Sequence, residues 1–589
     1  MLAGSLPKLS RLGRALGIVS REERIASLRQ PVPLVGSESS VRKLVWAFVW
    51  LGVAARAVRY FLCFPLWEDE CFVCFNLIDR GYAELLQPLD YHQVAPVLFL
   101  WLQLTVVKLL GFSEWTLRLI PFVCGITSVF LFRRLVAQLL TGLPLVCAVA
   151  VFAVSYPGIR YAAEAKPYGT DLFVGLVMLA MFVNWWQTPE RTRWLWGMVV
   201  FAPLAIGISY PAAFVCGGIS LAIAYALWKK ESLAFANSSP SGEVVIDPLA
   251  SRWLIWMAFN LLTLAAFGLT YHAASNQSGA ELNFMQGFWG NAFPPLSSLT
   301  EFLAWLGITH TSDLLAYPVG GARGASSLTF LCCLVAVSAL VRLRKKLLLV
   351  LAMGPLLLNL IAAAMQRYPY GGHVKFAQYH AAIICLVAGI GLAALLQMHA
   401  RWIPSRGKLT VKLAFGALIL IAAASMGRDI ANPYKSTTDQ RHRAFAQWFW
   451  FNTEFQGETV CLASDLDMRF STETYADLSW SAMYHCNQRI YSPRQIDGRS
   501  PDWSRISADW PLRCVLFRAP RFDFDQQSQT DWLAEMQTKY KLDGVASYPF
   551  PCFGKREREA INVDYVDVFT FVPLPNSART QPTVLVGKE

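Results

Sequence analysis

The run LVWAFVWLGVAARAVRYFLCFPL occupies residues 44–66 and leads directly into Trp67-Glu68-Asp69-Glu70. A helix needs roughly 17 to 25 apolar residues to cross a hydrocarbon core of about 30 Å, so this run is long enough to span a bilayer. The same character extends through the chain of 589 residues, which is 55% hydrophobic and only 16% charged, with a mean hydropathy of +0.38. This composition excludes a disordered chain and a coiled coil, and it predicts a membrane protein with many spans.

Including this first run, we expect eleven membrane spans. The predicted fold is mainly α, a polytopic helical membrane bundle. A further apolar stretch, Pro96 to Leu110, carries Lys108 and is too short for a confident span. The predicted spans are 44–66, 114–132, 141–157, 168–186, 194–209, 212–228, 253–272, 326–342, 347–365, 376–398 and 409–427.

The basic residues predict the orientation. Residues 1–427 hold 33 Lys and Arg against 19 Asp and Glu and so carry the whole basic surplus, which points to a membrane and not to nucleic acid. If Pro96 to Leu110 does not cross, every Lys/Arg cluster between spans falls on the side of the basic N-terminus. We therefore expect this stretch to be an interfacial helix in the first outer loop.

The N-terminus is then predicted to be cytoplasmic, in a cell membrane that we expect to be a bacterial inner membrane. The first span would serve as an uncleaved anchor. The segments on the other side would be 67–113, 158–167, 273–325, 366–375 and 428–589. We call 67–113 the first, 158–167 the second and 366–375 the fifth outer segment.

Three domains are expected: a basic cytoplasmic segment at 1–43, the membrane domain at 44–427, and an extracytoplasmic α/β domain at 428–589. In the last of these, residues 460–463, 514–517 and 565–571 resemble strands, and 532–540 resembles a helix. Its four cysteines, an even number, either form two disulfides or remain buried thiols.

Charged and polar residues gather in three outer segments. The first has the acids Asp69 and Glu70 and continues through His92. The second has Arg160, Glu164, Lys166 and Tyr168, and the fifth has Tyr370, His373 and Lys375. Charged and polar side chains cost free energy to hold at a membrane boundary, so their presence there indicates a functional site. Cations suit a lipid-borne phosphate and a carboxylate suits an attacking hydroxyl, so we expect these segments to converge at one membrane face.

Arg56 and Arg59 lie three residues apart on one face of the first span. Each costs about 2.5 to 3.5 kcal/mol at the centre of a bilayer on insertion scales. A structural ion pair and a contact with a lipid phosphate are equally compatible with this spacing.

Three pieces of sequence carry a family resemblance: Trp67-Glu68-Asp69-Glu70, Tyr91-His92-Gln93-Val94-Ala95-Pro96, and the run from Gly111 to Pro121. In this order and spacing they resemble the GT-C class of membrane glycosyltransferases. The likeness is to the branch with protein O-mannosyltransferases, the aminoarabinose transferase and the RgtA/B/C/D-like enzymes. The loops around Glu164-Ala165-Lys166-Pro167-Tyr168 and Tyr370-Gly371-Gly372 are similar to loops of bacterial members.

The resemblance implies transfer of a sugar from a polyprenyl-phosphate donor to a lipid, glycan or protein acceptor on the extracytoplasmic side, with inversion. It assigns the essential acid to Asp69, with Glu70 beside it. His373 stands where many relatives have Arg, which leaves the phosphate-binding roles of His373 and Lys375 open. From the residues themselves, Glu164 could bind sugar hydroxyls, hold Lys166 or help to coordinate a divalent cation, and no set of ligands is strong enough to require a metal. The alternative is a transporter or lipid-carrier flippase without transfer chemistry, which would place charges near mid-bilayer.

Overall fold

The computed structural model describes residues 34–78, 80–89, 93–229, 249–278 and 289–435, and shorter ranges beyond them. The shorter ranges are 440, 443–444, 455, 457–462, 490–491, 509–518, 526–550 and 564–575. The N-terminal segment at 1–33 lies outside the described residues. The chain divides into two compact units. The first comprises Met1–Cys63, Val94–Thr105 and Arg118–Ala431, and the second comprises Phe64–Gln93, Val106–Leu117 and Asn432–Glu589.

Helices make up nearly all of the described chain up to residue 431. They are α1 (Glu38–Phe61), α2 (Glu68–Phe75), α3 (Val97–Leu110), α4 (Glu114–Leu139), α5 (Gly142–Ala153), α6 (Tyr156–Arg160), α7 (Tyr168–Gln187), α8 (Arg193–Ile208), α9 (Ala212–Trp228), α10 (Leu249–Ser278), α11 (Leu299–Thr311), α12 (Ser327–Arg342), α13 (Lys346–Ala364), α14 (Ala381–Trp402) and α15 (Gly407–Ala431). Short 3-10 turns lie at Glu84–Leu86, Tyr161–Ala163, Gly290–Ala292, Asp313–Leu315, Val374–His380 and Pro404–Arg406.

Each of the eleven predicted spans coincides with an apolar helix. In the described chain, seven helices are long and apolar enough to cross a membrane. The count rises to eight if the bent pair Gly142–Ala153 and Tyr156–Ala163 is one span, and α8, α9 and α12 are shorter apolar helices of 16 or 17 residues. The prediction of a polytopic helical membrane bundle with a small C-terminal α/β domain is confirmed. The interfacial position of α3, an apolar helix of 14 residues, stays a prediction.

Helix α14 forms the centre of the first unit. Every residue from Ala381 to Gly391 is buried, and α14 packs against α5 and α12. A side chain at Gly389 would overlap the backbone of Ala148, so glycine permits the close approach of α14 to α5. Helix α10 is the opposite case, because Leu254, Leu261 and Leu269 are exposed as expected of a lipid-facing helix.

The first and last spans pack together in the same unit. The Nη1 atom of Arg59 lies 2.7 Å from Oδ2 of Asp429, and both side chains are buried. Phe48 and Phe415 meet edge to face, 5.7 Å between ring centroids. Of the two interpretations that the sequence leaves open for Arg59, the structural ion pair is the one observed.

The C-terminal part of the second unit contains a five-stranded sheet. Its strands are β1 (Glu458–Leu462), β2 (Ile490–Tyr491), β3 (Leu512–Arg518), β4 (Tyr540–Phe550) and β5 (Asp564–Pro573), in the order β2-β1-β3-β5-β4. Strand β1 is parallel to β2 and β3, whereas β5 is antiparallel to β3 and β4.

Helix α16 (Gln526–Gln537) contributes Met536 to a buried cluster with Cys514, Phe569 and Phe571. Strands β1, β3 and β5 and this helix were predicted, whereas β2 and β4 were not. The β-forming run after Tyr540 is interrupted by a register irregularity between Leu542 and Gly544, which obscures its alternation.

Candidate functional site

The acids of the first outer segment lie in the first turn of α2, which we call the acidic helix (Glu68–Phe75). The backbone N–H of Trp67 donates to Oε2 of Glu70 at 3.3 Å, so Glu70 caps the helix start and is buried. Asp69 is half-buried. The first turn of a helix favours negative charge, because its free N–H groups and its dipole face the carboxylates. The arrangement therefore holds Asp69 as a partly accessible carboxylate beside a structural one.

Cations lie near the same part of the second unit. The ammonium of Lys435 lies over the ring of Trp67, and Nη1 of Arg443 lies 3.3 Å from Oε2 of Glu114. These contacts join the segment after α15 to the two stretches that flank α3 in this unit. His92 lies outside the described residues.

The second outer segment begins in α6 and ends at the start of α7. The guanidinium Nε of Arg160 donates to Oε1 of Glu164 at 2.5 Å, and the Glu164 side chain is buried. Lys166 is also buried, at 4% exposure. Tyr161 and Tyr168 pack edge to face with ring centroids 5.0 Å apart. Two cations and one carboxylate thus lie within seven residues, backed by two aromatic rings.

The fifth outer segment depends on two glycines with positive φ. Gly371 and Gly372 have φ of +80° and +72°, a region that residues with a side chain rarely adopt. A Cβ on Gly372 would lie 2.6 Å from that of Ala292, and the N–H of Tyr370 donates to the Ala292 carbonyl at 2.9 Å. The loop is therefore fitted closely against the 3-10 turn at Gly290–Ala292.

His310, in α11, fixes the side chain of Tyr370 in the same loop. Its Nδ1–H donates to the carbonyl of Leu306 at 2.8 Å, which leaves Nε2 to accept from the hydroxyl of Tyr370 at 3.1 Å. Burial lowers the pKa of His310, partly offset by the bond to Leu306, so the neutral ring is favoured.

Lys375 is surrounded by aromatic rings. Its Nζ lies 4.7 Å from the ring centroid of Trp289, 5.5 Å from that of Phe376 and 5.8 Å from that of Tyr168. Such faces attract an ammonium without neutralising it. Lys375 is therefore a cation that lies among three aromatic faces.

The second and fifth outer segments meet inside the first unit. The hydroxyl of Tyr161 donates to Nδ1 of His373 at 3.4 Å, and the same nitrogen accepts from the backbone N–H of Lys375 at 3.1 Å. Lys375 in turn lies over Tyr168. We call this group the cationic frame; it comprises Arg160, Tyr161, Glu164, Lys166, Tyr168, His373 and Lys375.

Three residues near these segments were missed by the sequence analysis. Trp289 and His310 lie far from the motifs along the chain, and no local pattern marks them. Asp171 lies in the first turn of α7 and is buried at 4% exposure. A signal existed for Asp171, because an acid one turn inside a predicted span is a reason to expect function. In the part of the chain that the structure describes, no three His, Cys, Asp or Glu side chains are grouped so as to hold a metal ion.

A model of a known family matches part of the chain. Residues 94–266 match the model of the dolichyl-phosphate-mannose-protein mannosyltransferase family. The match includes Arg160, Glu164, Lys166 and Tyr168, whereas Asp69 and the fifth outer segment lie outside it. The resemblance to the GT-C class is confirmed, and the chain is a multi-pass membrane protein. No curated protein matches the chain.

Solved structures of two membrane proteins are similar to this chain. The structure of apo ArnT from Cupriavidus metallidurans aligns with this chain with a TM-score of 0.45 and 11% sequence identity. The alignment covers 88% of this chain and 97% of the ArnT chain. The structure of the same ArnT bound to undecaprenyl phosphate has a TM-score of 0.45 and 12% sequence identity. The structure of the apo oligosaccharyltransferase from Archaeoglobus fulgidus has a TM-score of 0.42 and 12% sequence identity. The alignment covers 77% of this chain, and this chain spans 65% of the length of the oligosaccharyltransferase.

Proposed function

We propose that this protein is an integral-membrane glycosyltransferase. It transfers a sugar from a polyprenyl-phosphate donor to an acceptor on the extracytoplasmic side, with inversion at the anomeric carbon. The observation that carries the proposal is the cationic frame, in which the second and fifth outer segments meet through Tyr161 and His373 and Lys375 lies over the ring of Tyr168. Support for the sugar-phosphate chemistry comes from the family match, whose described members use dolichyl-phosphate mannose.

The leaving group of this reaction is a phosphate on a lipid carrier. Its negative charge grows as the bond from the anomeric carbon to the phosphate oxygen breaks. Lys375, Lys166 and Arg160 supply the positive charge that stabilises this oxygen, and Arg160 is oriented by Glu164. Aromatic side chains such as Tyr168 and Trp289 offer apolar faces to the donor.

Asp69 is the proposed base. An acceptor hydroxyl attacks the anomeric carbon, Asp69 takes its proton, and the carrier phosphate departs with the bonding electron pair from the opposite face. One new glycosidic bond replaces one sugar-phosphate bond, and the configuration inverts because the hydroxyl attacks the face opposite the departing phosphate. Glu70 assists by capping the helix start, which keeps Asp69 in the first turn.

The acceptor is a lipid, glycan or protein hydroxyl, and the domain with the five-stranded sheet contributes to its selection. The orientation rests on the distribution of Lys and Arg, which places the outer segments and the C-terminal domain outside the cytoplasm. A divalent cation near Glu164 stays part of the proposal and is tested by adding Mg²⁺, Mn²⁺ or Zn²⁺ to metal-stripped enzyme.

The test uses the full chain in liposomes with radiolabelled polyprenyl-phosphate mannose, then with other hexose and pentose donors, and with an envelope-membrane extract that supplies acceptor hydroxyls. We expect the wild-type protein to consume donor, and we expect Asp69→Asn to reduce kcat by about 10²- to 10⁴-fold. The matched control is Glu301→Gln, because Glu301 is also a first-turn acid of a helix, α11, and is exposed. Donor that moves across the bilayer unchanged would instead establish a flippase, and full activity in D69N would remove Asp69 from the mechanism.

A further inference from the structure

Arg56 is a buried cation of α1 with an unusual set of partners. It is fully buried, and its Nη1 donates to the carbonyls of Gly52 at 2.9 Å and of Ala153 at 3.1 Å. Its Nε and Nη2 are buried and have no hydrogen-bond partner among the described residues, and no described carboxylate forms an ion pair with it. A charge retained under these conditions requires an explanation.

The Ala153 carbonyl belongs to a break in the helix path. Helix α5 ends at Ala153, and the next helical stretch, Tyr156–Ala163, is bent by 50° from it. The last carbonyls of a helix have no partner within it, and they carry the negative end of its dipole. The guanidinium therefore satisfies and neutralises the end of α5 inside the bundle.

The same guanidinium also reaches the far side of the break. A Cβ built on Gly158, in α6, would lie 2.9 Å from Nη2 of Arg56. The Nη2 atom could move aside only by turning a guanidinium that is fully buried and bonded to Ala153. Arg56 thus contacts both helical stretches that meet at the break.

We infer that Arg56 is a positioning residue that braces this break. The bracing fixes the direction in which α6 leaves α5, and α6 carries Arg160 at its last position, paired with Glu164. The inference rests on the proposed function, because Arg160 and Glu164 belong to the cationic frame. Lysine is a poor substitute for Arg56, because it has a single nitrogen. That nitrogen cannot bond the carbonyl of Ala153 and at the same time fill the space beside Gly158.

Arg59 shows the difference between bracing and simple neutralisation. It lies one helical turn later on the same face of α1, and it forms an ion pair with Asp429 in addition to a bond of 3.3 Å to the hydroxyl of Tyr156. Arg56 has no such carboxylate among the described residues, and its hydrogen bonds are with backbone carbonyls, one of them at a bend. Its side chain is therefore matched to the shape of the break.

The test is a double-mutant cycle on Gly158→Ala and Arg56→Lys, measured as kcat with labelled polyprenyl-phosphate mannose and as Tm in detergent. G158A is expected to lower kcat about 10- to 100-fold, because it displaces the guanidinium and shifts Arg160. R56K is expected to lower kcat less than R56M, since it keeps a charge at the end of α5. The double variant R56K/G158A should be no worse than R56K, because the guanidinium atom that the added methyl group would meet is gone.

Gly169→Ala is the matched control. A Cβ there would also lie 2.9 Å from its nearest atom, but that atom is the carbonyl of Tyr161. The loss caused by G169A should therefore persist in the R56K background. The inference is overturned if the fold-losses in kcat of R56K and G158A multiply in the double variant. It is also overturned if G158A keeps the wild-type kcat and Tm.

The two readouts separate this inference from the proposed function. If the wild-type protein consumes no donor, the transferase proposal fails, and the Tm cycle still decides whether Arg56 braces the break. If G158A does not fold, recovery of folding in R56K/G158A supports the inference, and failure of both variants to fold overturns it.

Discussion

In the acidic helix, the contact that fixes Glu70 comes from the backbone of Trp67, three residues earlier. In the cationic frame, His373 bonds Tyr161, which lies 212 residues before it, and in the adjoining loop Tyr370 bonds His310, which lies 60 residues before it. The cap on Glu70 is thus made within one helical turn, whereas the side chains in and beside the cationic frame are held by bonds between distant segments. A disturbance of those distant segments should therefore move His373 and Tyr370 and leave the cap on Glu70 in place.

The largest expected effect on the frame comes from removing its aromatic-bound cation. Lys375→Met keeps most of the side-chain volume and removes the charge, so we expect kcat to fall by about 10²- to 10³-fold, as when one transition-state donor is lost. Initial rates of donor consumption in liposomes measure this. Lys346→Met is the matched control, because Lys346 is exposed at the start of α13, and it should stay close to wild type. Equal losses in both variants would show that bulk charge and not the frame is responsible.

A smaller effect is expected when the frame is disturbed without changing any charge. Gly372→Ala forces a side chain onto a φ of +72° and against Ala292, which costs about 1 to 3 kcal/mol. The expected result is a drop in kcat of about tenfold or more with a lower Tm. Gly416→Ala serves as the control, because a Cβ at Gly416 in α15 meets nothing within 4 Å. An unchanged G372A enzyme would mean that this loop does not position Lys375.

The smallest effect concerns pH. Because burial lowers the pKa of His310 in the folded protein, folding stability is constant well above the usual value of 6.5 and falls as pH decreases below it. Protonation of Nε2 also removes the acceptor for Tyr370. We expect the wild-type Tm to fall by about 1 °C more than that of His310→Gln between pH 7.5 and pH 5.5, on the order of 1 kcal/mol. Parallel melting curves for the two proteins would contradict the assigned role of His310.

The same contrast explains what the sequence could predict. The apolar runs revealed the spans, because length and composition alone decide whether a helix can cross a bilayer. Asp69 and Glu70 were visible because three acids directly follow such a run. Trp289 and His310 could not be found, since their roles depend on rings and hydrogen bonds between segments that only the folded chain brings together. Strand β4 was missed for a local reason, the irregularity near Gly544.

The pairing of Arg59 with Asp429 has a consequence for how the protein is made. Helix α1 is synthesised first and α15 last among the membrane helices, so the guanidinium enters the bilayer long before its carboxylate partner exists. During synthesis that side chain must stay at the water boundary or beside the insertion machinery. In ribosomes stalled before codon 429, α1 should accordingly be inserted less deeply, with Arg59 closer to the aqueous phase. Completion of α15 would then stabilise the inserted position of α1 through the ion pair with Asp429.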